Sequence, residues 1–129
     1  MSIWRQKAIS IAPELRKDFQ KSDLSPYLVF SELLSLLEQA LNNNDKDRVQ
    51  KIYEYAEWCF SQKDKKLWNA AGVSFYEHLG DNEIVFSQFT QYVKKNIYVK
   101  VRDLLRLRLD KERVKQLDKY YGMIKGGGI

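Results

Sequence analysis

The spacing of the apolar residues limits this chain more than any other feature, because they recur every three or four positions along most of its length. That is the period of a helix that buries one face. In residues 26–42, for example, Phe30, Leu33, Leu37 and Leu41 fall on one side of a helix. No segment alternates apolar and polar residues over a convincing length, as a half-buried strand would. Because the connections are short, the pattern predicts an all-α, single-domain bundle of about six helices in consecutive antiparallel hairpins.

Several polar residues and prolines mark where these helices should begin. Pro13 interrupts the first apolar stripe, so a kink or a break is expected beside it. Ser25 followed by Pro26 favours a helix start, since a serine oxygen can accept from the first amides and proline fits the first helical position. Asp45 and Asp64 are expected to cap the third and fourth helices in the same way.

Glycines mark helix ends in the second half of the chain. We expect the fourth helix to continue to Leu79 and to end at Gly80, a residue type that readily adopts the left-handed conformation found after many helices. The last helix is expected to run unbroken over residues 97–121, which at 1.5 Å per residue makes this long C-terminal helix roughly 37 Å long. The sequence thus predicts one domain over residues 1–122 and a flexible glycine-rich tail over residues 123–129.

Cysteine content and hydropathy indicate the compartment. A single cysteine cannot form an intramolecular disulfide, and the chain does not open with the charged and apolar segments of a secretory signal. The apolar runs are far shorter than the roughly 18 to 20 residues that cross a bilayer. We therefore expect a cytoplasmic protein with no membrane partner, either a monomer or a homodimer.

Charge is unevenly distributed along the chain. From residue 94 onward there are 11 Lys or Arg against 4 Asp or Glu, whereas residues 1–93 hold 11 against 13. Such asymmetry suggests an anionic partner for the C-terminal part, which could be nucleic acid, a membrane surface or an acidic protein surface. A nucleic-acid-binding helix is therefore the alternative function. The residues that would carry it are Arg102, Arg106, Arg108 and Arg113.

Polar residues within the aromatic stretch of residues 53–79 are the candidates for binding a partner. Asn69 and Glu77 are eight residues apart, which on one helix leaves them within about 80° of each other. Together with Glu57 they could line an acidic groove between the third and fourth helices that binds a cation or a basic side chain. Alternatively, they could form a hydrogen-bonded set that fixes how these helices dock. The full set of candidates is Glu54, Glu57, Asn69, Glu77 and His78.

Catalytic and metal-binding patterns are weak. The glutamates lack a spacing diagnostic of acid–base chemistry, and Cys59 with His78 could act as nucleophile and base only if the fold brings them together. A Glu-x-x-His motif and a phosphate-binding glycine loop are missing. We therefore expect a non-enzymatic protein without metal or cofactor, and a small hydrolase only as a minor alternative.

The segment AEWCFSQKDKKLWNAAGVSFYEHL, within residues 54–80, resembles small all-helical bacterial proteins of uncharacterised families. These resemble putative immunity proteins of polymorphic toxin systems. Glu57, Asn69, Glu77 and His78 match the recurring polar positions of that pattern. The resemblance implies that the chain binds a protein, most concretely a cognate toxin, and neutralises it by direct contact. Because inhibitors of basic nucleases are usually acidic, the basic C-terminal part favours a toxin of another activity.

Overall fold

A computed structural model describes residues 1–123 of the chain, and the regular secondary structure over this range is entirely helical. The all-α single-domain fold is therefore confirmed. The α-helices are α1 (Ile3–Ile11), α2 (Arg16–Phe19), α3 (Pro26–Asn42), α4 (Lys46–Phe60), α5 (Lys65–Ser74), α6 (Glu83–Ser87), α7 (Phe89–Tyr92), α8 (Lys95–Arg106) and α9 (Lys111–Tyr120). Two short 3-10 helices cover Pro13–Leu15 and Tyr76–His78. Apart from Met123, the tail predicted for residues 123–129 lies outside the described residues.

The predicted helix starts in the first half of the chain are confirmed. Ser25 Oγ accepts a hydrogen bond from the amide of Leu28 at the start of α3. Asp45 and Asp64 accept from the first-turn amides of α4 and α5 in the same way. Pro13 begins a 3-10 helix directly after α1, since its ring cannot continue the α-helical pattern.

The core lies where α3, α4 and α5 pack against one another, with α1 on α4 and α6 on α3. Its centre is aromatic: the ring of Phe30 lies 5.4 Å from that of Tyr55 and 5.6 Å from that of Phe75. Tyr53 meets Phe75 edge-on at 5.6 Å. Among the helices of residues 1–123, none combines the length and apolar character that crossing a membrane requires.

The predicted fourth helix is wrong at its C-terminal end. It ends at Ser74, and Phe75 leaves helical geometry with φ −125° and ψ −73°. Phe75 and Tyr76 are both buried, although neighbouring side chains on a helix point about 100° apart, so a break lets both rings enter the core. Gly80 is not in the left-handed region. Instead, a Cβ at Gly80 would lie 2.1 Å from Cδ2 of Leu109, so this glycine permits a close approach.

The predicted long C-terminal helix is also wrong, because the chain divides it into α8 and α9. The second helix begins after Asp110, whose carboxylate accepts a hydrogen bond from the amide of Arg113 and caps α9. Leu107 is 77% exposed, while Leu109 is buried beside Gly80. The turn folds α9 back on α8, so that the ring of Tyr121 stacks on that of Tyr98 at 4.4 Å.

Candidate functional site

A cleft of about 850 Å³ lies between α4, the residues joining α7 to α8, and the end of α9. It exists because the turn before α9 brings the C-terminal tyrosines next to residues 90–95. We call it the tyrosine cleft. Its principal lining residues are Tyr53, Glu57, Trp58, Tyr92, Lys94 and Tyr120.

Aromatic rings form much of the cleft surface. Tyr53 and Tyr92 stack almost parallel, with ring centroids 4.7 Å apart and planes 5° from parallel. Tyr120 meets Tyr121 edge-on at 5.0 Å and is itself 62% exposed. Tyr121 is held in place because its hydroxyl donates to the carbonyl of Val93 at 2.5 Å. The cleft thus combines a fixed aromatic floor with one exposed ring at its rim.

The Tyr53 hydroxyl lacks a hydrogen-bond partner, although the side chain is only 4% exposed. Within residues 1–123 it is the one buried side-chain oxygen or nitrogen in this condition. Burial raises the pKa of Tyr53 well above its ordinary value, and the neighbouring hydroxyls of Tyr92 and Tyr121 raise it further. The group is therefore a neutral phenol at physiological pH and is able to donate. A buried hydroxyl without a hydrogen-bond partner costs free energy of folding.

Charged groups face one another across the cleft. Glu57 of α4 accepts from Lys94 Nζ at 2.7 Å, and both side chains remain partly exposed. Glu54 accepts from Gln50 at 3.1 Å on the same wall of α4. On the opposite wall lie Lys94 and Lys95 at the start of α8, where Lys94 provides no side-chain cap. One wall is therefore acidic and the other basic.

This arrangement can hold a ligand that offers both apolar and polar groups. Tyr and Trp bury large areas with few rotatable bonds, and their hydroxyl and indole groups make directed hydrogen bonds. In the part of the chain that the structure describes, no three His, Cys, Asp or Glu side chains are grouped as metal ligands.

The residues predicted from the sequence to bind a partner lie in separate parts of the structure. Glu54 and Glu57 line the tyrosine cleft. Asn69 donates from Nδ2 to the Tyr27 hydroxyl at 2.8 Å and lines a different pocket, beside Trp68. The predicted groove shared by Glu57, Asn69 and Glu77 is therefore wrong. Its premise was that Asn69 and Glu77 share one helix, but α5 ends at Ser74.

Glu77 and His78 belong to an ionic cluster at the 3-10 turn. His78 Nδ1 lies 2.8 Å from Asp81 Oδ2, and its Nε2 lies 3.8 Å from Glu77. Arg108 binds Asp81 through two hydrogen bonds of 3.0 and 2.9 Å. Burial raises the pKa of Asp81, but the hydrogen bonds from Arg108 and His78 outweigh it and hold the pKa below its ordinary value. The cluster ties the turn to the residues just beyond α8.

Cys59 lies fully buried in α4. Burial raises the pKa of its thiol to about 12, although a hydrogen bond with Tyr55 acts in the opposite direction. A thiol in this environment is protonated at neutral pH and is a poor nucleophile. His78 meanwhile contacts Asp81, so the geometry gives no support to a Cys59–His78 pair.

Most of the candidate arginines are engaged by carboxylates. Arg102 binds Asp118 through Nε at 2.7 Å and a terminal nitrogen at 2.6 Å, and Tyr98 donates to the same carboxylate at 2.6 Å. Arg113 lies 2.5 Å from Glu83. Arg106 is more available, with Asp103 at 3.7 Å. Asp110, which lies between Arg106 and Arg113 in the sequence, caps α9.

Sequence reasoning missed Tyr53, Tyr92, Lys94 and Tyr120 as site residues. Tyr53 and Tyr92 lie on apolar stripes, a position that is typical of core residues. The presence of tyrosine at these two positions was a signal that could have been used. A tyrosine in a core needs a partner for its hydroxyl, whereas phenylalanine does not. Tyr120 joins them only because α9 folds back.

A protein-family model described as "Domain of unknown function (DUF7674)" matches residues 5–122. The matched range includes all the residues of the tyrosine cleft. Comparison with curated proteins and with solved structures gave no match. The family's description specifies no activity, and it makes no connection with toxin immunity.

Proposed function

We propose that this chain, which belongs to the DUF7674 family of domains of unknown function, is a non-enzymatic protein that binds another protein through the tyrosine cleft. The observation that carries the proposal is the open cleft itself, in which the exposed ring of Tyr120 lines the same surface as Tyr53, Trp58 and Tyr92. Exposed Tyr120 and half-buried Trp58 add the residue types that most often dominate binding energy at protein interfaces.

The partner class is a narrower proposal within this one. The resemblance of residues 54–80 to putative immunity proteins suggests a bacterial toxin that the chain neutralises by direct contact. Of the residues in that pattern, Glu57 lies in the cleft, whereas Asn69, Glu77 and His78 make contacts within the fold. The interface we propose is therefore centred on α4 and α9 and not on α5.

The alternative of nucleic-acid binding receives less support. Three of its four arginines, Arg102, Arg108 and Arg113, are held by carboxylates at 2.5 to 2.9 Å. Phosphate contacts would have to displace those bonds.

Affinity capture from the source cells tests the proposal with the wild-type chain and two variants. Tyr120→Ala removes the exposed ring at the cleft rim, and Trp68→Ala removes an exposed ring from the other pocket as a matched control. We expect a partner that the wild type and Trp68→Ala retain and that Tyr120→Ala loses. Loss of a buried interface tyrosine typically weakens affinity by about 30-fold or more.

The same variants test the proposal that the partner is a bacterial toxin. If a toxin gene lies beside the gene for this chain, co-expression should restore growth with wild type and with Trp68→Ala but not with Tyr120→Ala. Retention of the captured partner by Tyr120→Ala, with circular dichroism showing all three proteins folded, would exclude the cleft as the binding site.

A further inference from the structure

We propose that a second pocket, between α5 and α8, binds a small organic acid that carries one carboxylate on an apolar ring or chain. The pocket has a volume of about 370 Å³, and we call it the Trp68 pocket. The inference is independent of the proposed function, because this pocket and the tyrosine cleft share no lining residue. The residues that carry the argument are Phe60, Trp68, Asn69, Gly72, Lys100 and Leu104.

Gly72 opens the space between the two helices. It lies inside α5, where alanine is the more favourable residue, and its φ is not positive, so the backbone conformation does not require glycine. A Cβ at this position would lie 3.3 Å from Cδ1 of Leu104 and 3.9 Å from Cε1 of Phe60. Both of these side chains line the pocket. A side chain at position 72 would therefore narrow the pocket that glycine leaves open.

Aromatic rings give the Trp68 pocket its apolar surface. Trp68 is 39% exposed although it is one of the largest apolar side chains of the fold. Phe60 is held in place by an edge-on contact with Tyr76, with ring centroids 5.5 Å apart. Asn69 adds a polar group whose orientation is fixed, because its Nδ2 donates to the Tyr27 hydroxyl at 2.8 Å. Mostly apolar walls with few polar groups are typical of sites for small ligands.

Lys100 decides the charge of the ligand. It is the one charged side chain that lines the pocket within residues 1–123, and its ammonium lies 6.0 Å from the centre of the Phe60 ring. Asp103, the nearest acidic residue along α8, lies beside Arg106, and Lys100 has no ion-pair partner in the described chain. A carboxylate at the edge of an apolar ligand complements this cation, whereas a cationic ligand would be repelled.

Amide NMR titrations with four probes test this chemistry. The compounds 3-phenylpropionate, 3-phenylpropanol and 3-phenylpropylammonium share one apolar part and differ in charge, and acetate has the charge without the ring. We expect 3-phenylpropionate to shift the amide signal of Gly72 and to bind about two- to fivefold tighter than the alcohol, the gain typical of an exposed ion pair. The ammonium compound should bind more weakly than the alcohol, and acetate should not bind measurably. An alcohol that binds as tightly as the acid, or an acid that leaves the Gly72 signal unshifted, would overturn the proposal.

A matched pair of lysine variants tests the role of Lys100. Lys100→Gln should remove the preference for the acid and leave the affinity for the alcohol unchanged. Lys115→Gln makes the same change in net charge outside the Trp68 pocket and should keep the preference. If the two variants behave alike, Lys100 does not bind the carboxylate and the proposal is wrong.

Two further variants test the location of the site. Trp68→Ala should weaken binding of the acid and the alcohol alike by about tenfold, because both lose the ring on which they pack. Gly72→Ala should weaken both as well, since its methyl group enters the pocket, while helix propensity favours the alanine. Unchanged affinity in either variant, with circular dichroism showing that the variant is folded, contradicts the proposed site.

A peptide distinguishes a free acid from the end of a protein chain. Acetyl-Gly-Gly-Phe with a free C-terminal carboxylate offers the same ring and charge, and we expect it to bind more weakly than 3-phenylpropionate because its backbone must also be accommodated. Tighter binding of the peptide would overturn the assignment to a small molecule. Neither result bears on the proposed function, which is tested by capture that depends on Tyr120.

Discussion

Tyr53 and Tyr55 lie two residues apart on α4 and are 4% and 3% exposed, yet their hydroxyls have different surroundings. That of Tyr55 donates to the carbonyl of Trp4 at 2.9 Å, whereas that of Tyr53 has no partner in the described structure. A buried hydroxyl without a partner lowers the free energy of unfolding, whereas one with a partner raises it. The two residues therefore allow a matched comparison of a partnered and an unpartnered buried hydroxyl.

We expect Tyr55→Phe to lower the free energy of unfolding by about 1 kcal/mol and Tyr53→Phe to leave it unchanged or raise it by about 1 kcal/mol. Urea denaturation at pH 7 measures both. If Tyr53→Phe destabilises the protein as much as Tyr55→Phe does, the Tyr53 hydroxyl has a structural partner.

Asp118 is the one charged residue that is buried within the described chain, where it is 7% exposed. Hydrogen bonds from Arg102 lower its pKa most, burial opposes them, and Tyr98 lowers it further, so the net pKa is below the ordinary value. A depressed pKa in the folded state gives stability that is present above the unfolded pKa of about 4 and is lost as the pH falls through the folded pKa.

Asp118→Asn should therefore cost about 2 kcal/mol at pH 7, where the ion pair is intact, and less at pH 3, where the wild type has lost part of the same contribution. Urea denaturation over this pH range checks it, with the exposed Asp103→Asn as control. A stability difference between wild type and Asp118→Asn that stays constant from pH 7 to pH 3 would contradict the role of this carboxylate.

At the residue scale, sequence patterns predicted local contacts and missed tertiary ones. The caps at Ser25, Asp45 and Asp64 were predictable because the partner lies two or three residues away. Asp118 was not, because its partner Arg102 is 16 residues distant. Nothing in the spacing of these two residues marks them as neighbours.

The junction between α8 and α9 is the element on which the site depends. In an unbroken helix, residues 16 positions apart would be roughly 24 Å apart, but Arg102 and Asp118 are in contact at 2.6 Å. The turn at residues 107–110 therefore creates both this ion pair and the wall of the cleft that Tyr120 and Tyr121 supply. An aspartate three residues before an arginine fits either an ion pair within a helix or a cap, which is why the sequence favoured a continuous helix.

Asp110→Ala should lower the free energy of unfolding by about 1 kcal/mol, since it leaves the amide of Arg113 without its cap. Asp103→Ala, at an exposed position in the middle of α8, should have no measurable effect. Thermal denaturation followed by circular dichroism compares them. Equal transition temperatures for the two variants would indicate that the cap does not hold the turn.

At the scale of the whole molecule, the fold offsets part of the asymmetric charge of the sequence. Acidic residues before position 94 pair with basic residues after it, as Glu57 does with Lys94, Asp81 with Arg108 and Glu83 with Arg113. The basic C-terminal part thus packs against acidic neighbours. These pairs weaken the inference from charge to an anionic polymer.

The fold class could be predicted from the sequence because helical periodicity is local. The tyrosine cleft could not, because its residues come from positions 50–61, 90–95 and 120–121 and meet only after α9 folds back. The aromatic and acidic residues of α4 were recognised as unusual, and Glu54 and Glu57 were named. The wall that Tyr120 and Tyr121 supply could not be predicted, because the sequence favoured a single long helix.

Site-specific photo-crosslinking in the source cells tests most directly whether the tyrosine cleft binds a protein. A photoreactive phenylalanine analogue replaces Tyr120 at the cleft rim in one protein and Leu107, which is 77% exposed and outside the cleft, in another. We expect irradiation to join a specific protein to the chain from position 120 and not from position 107. No crosslinked species from position 120, or the same species from both positions, would contradict the assignment of the cleft as the binding site.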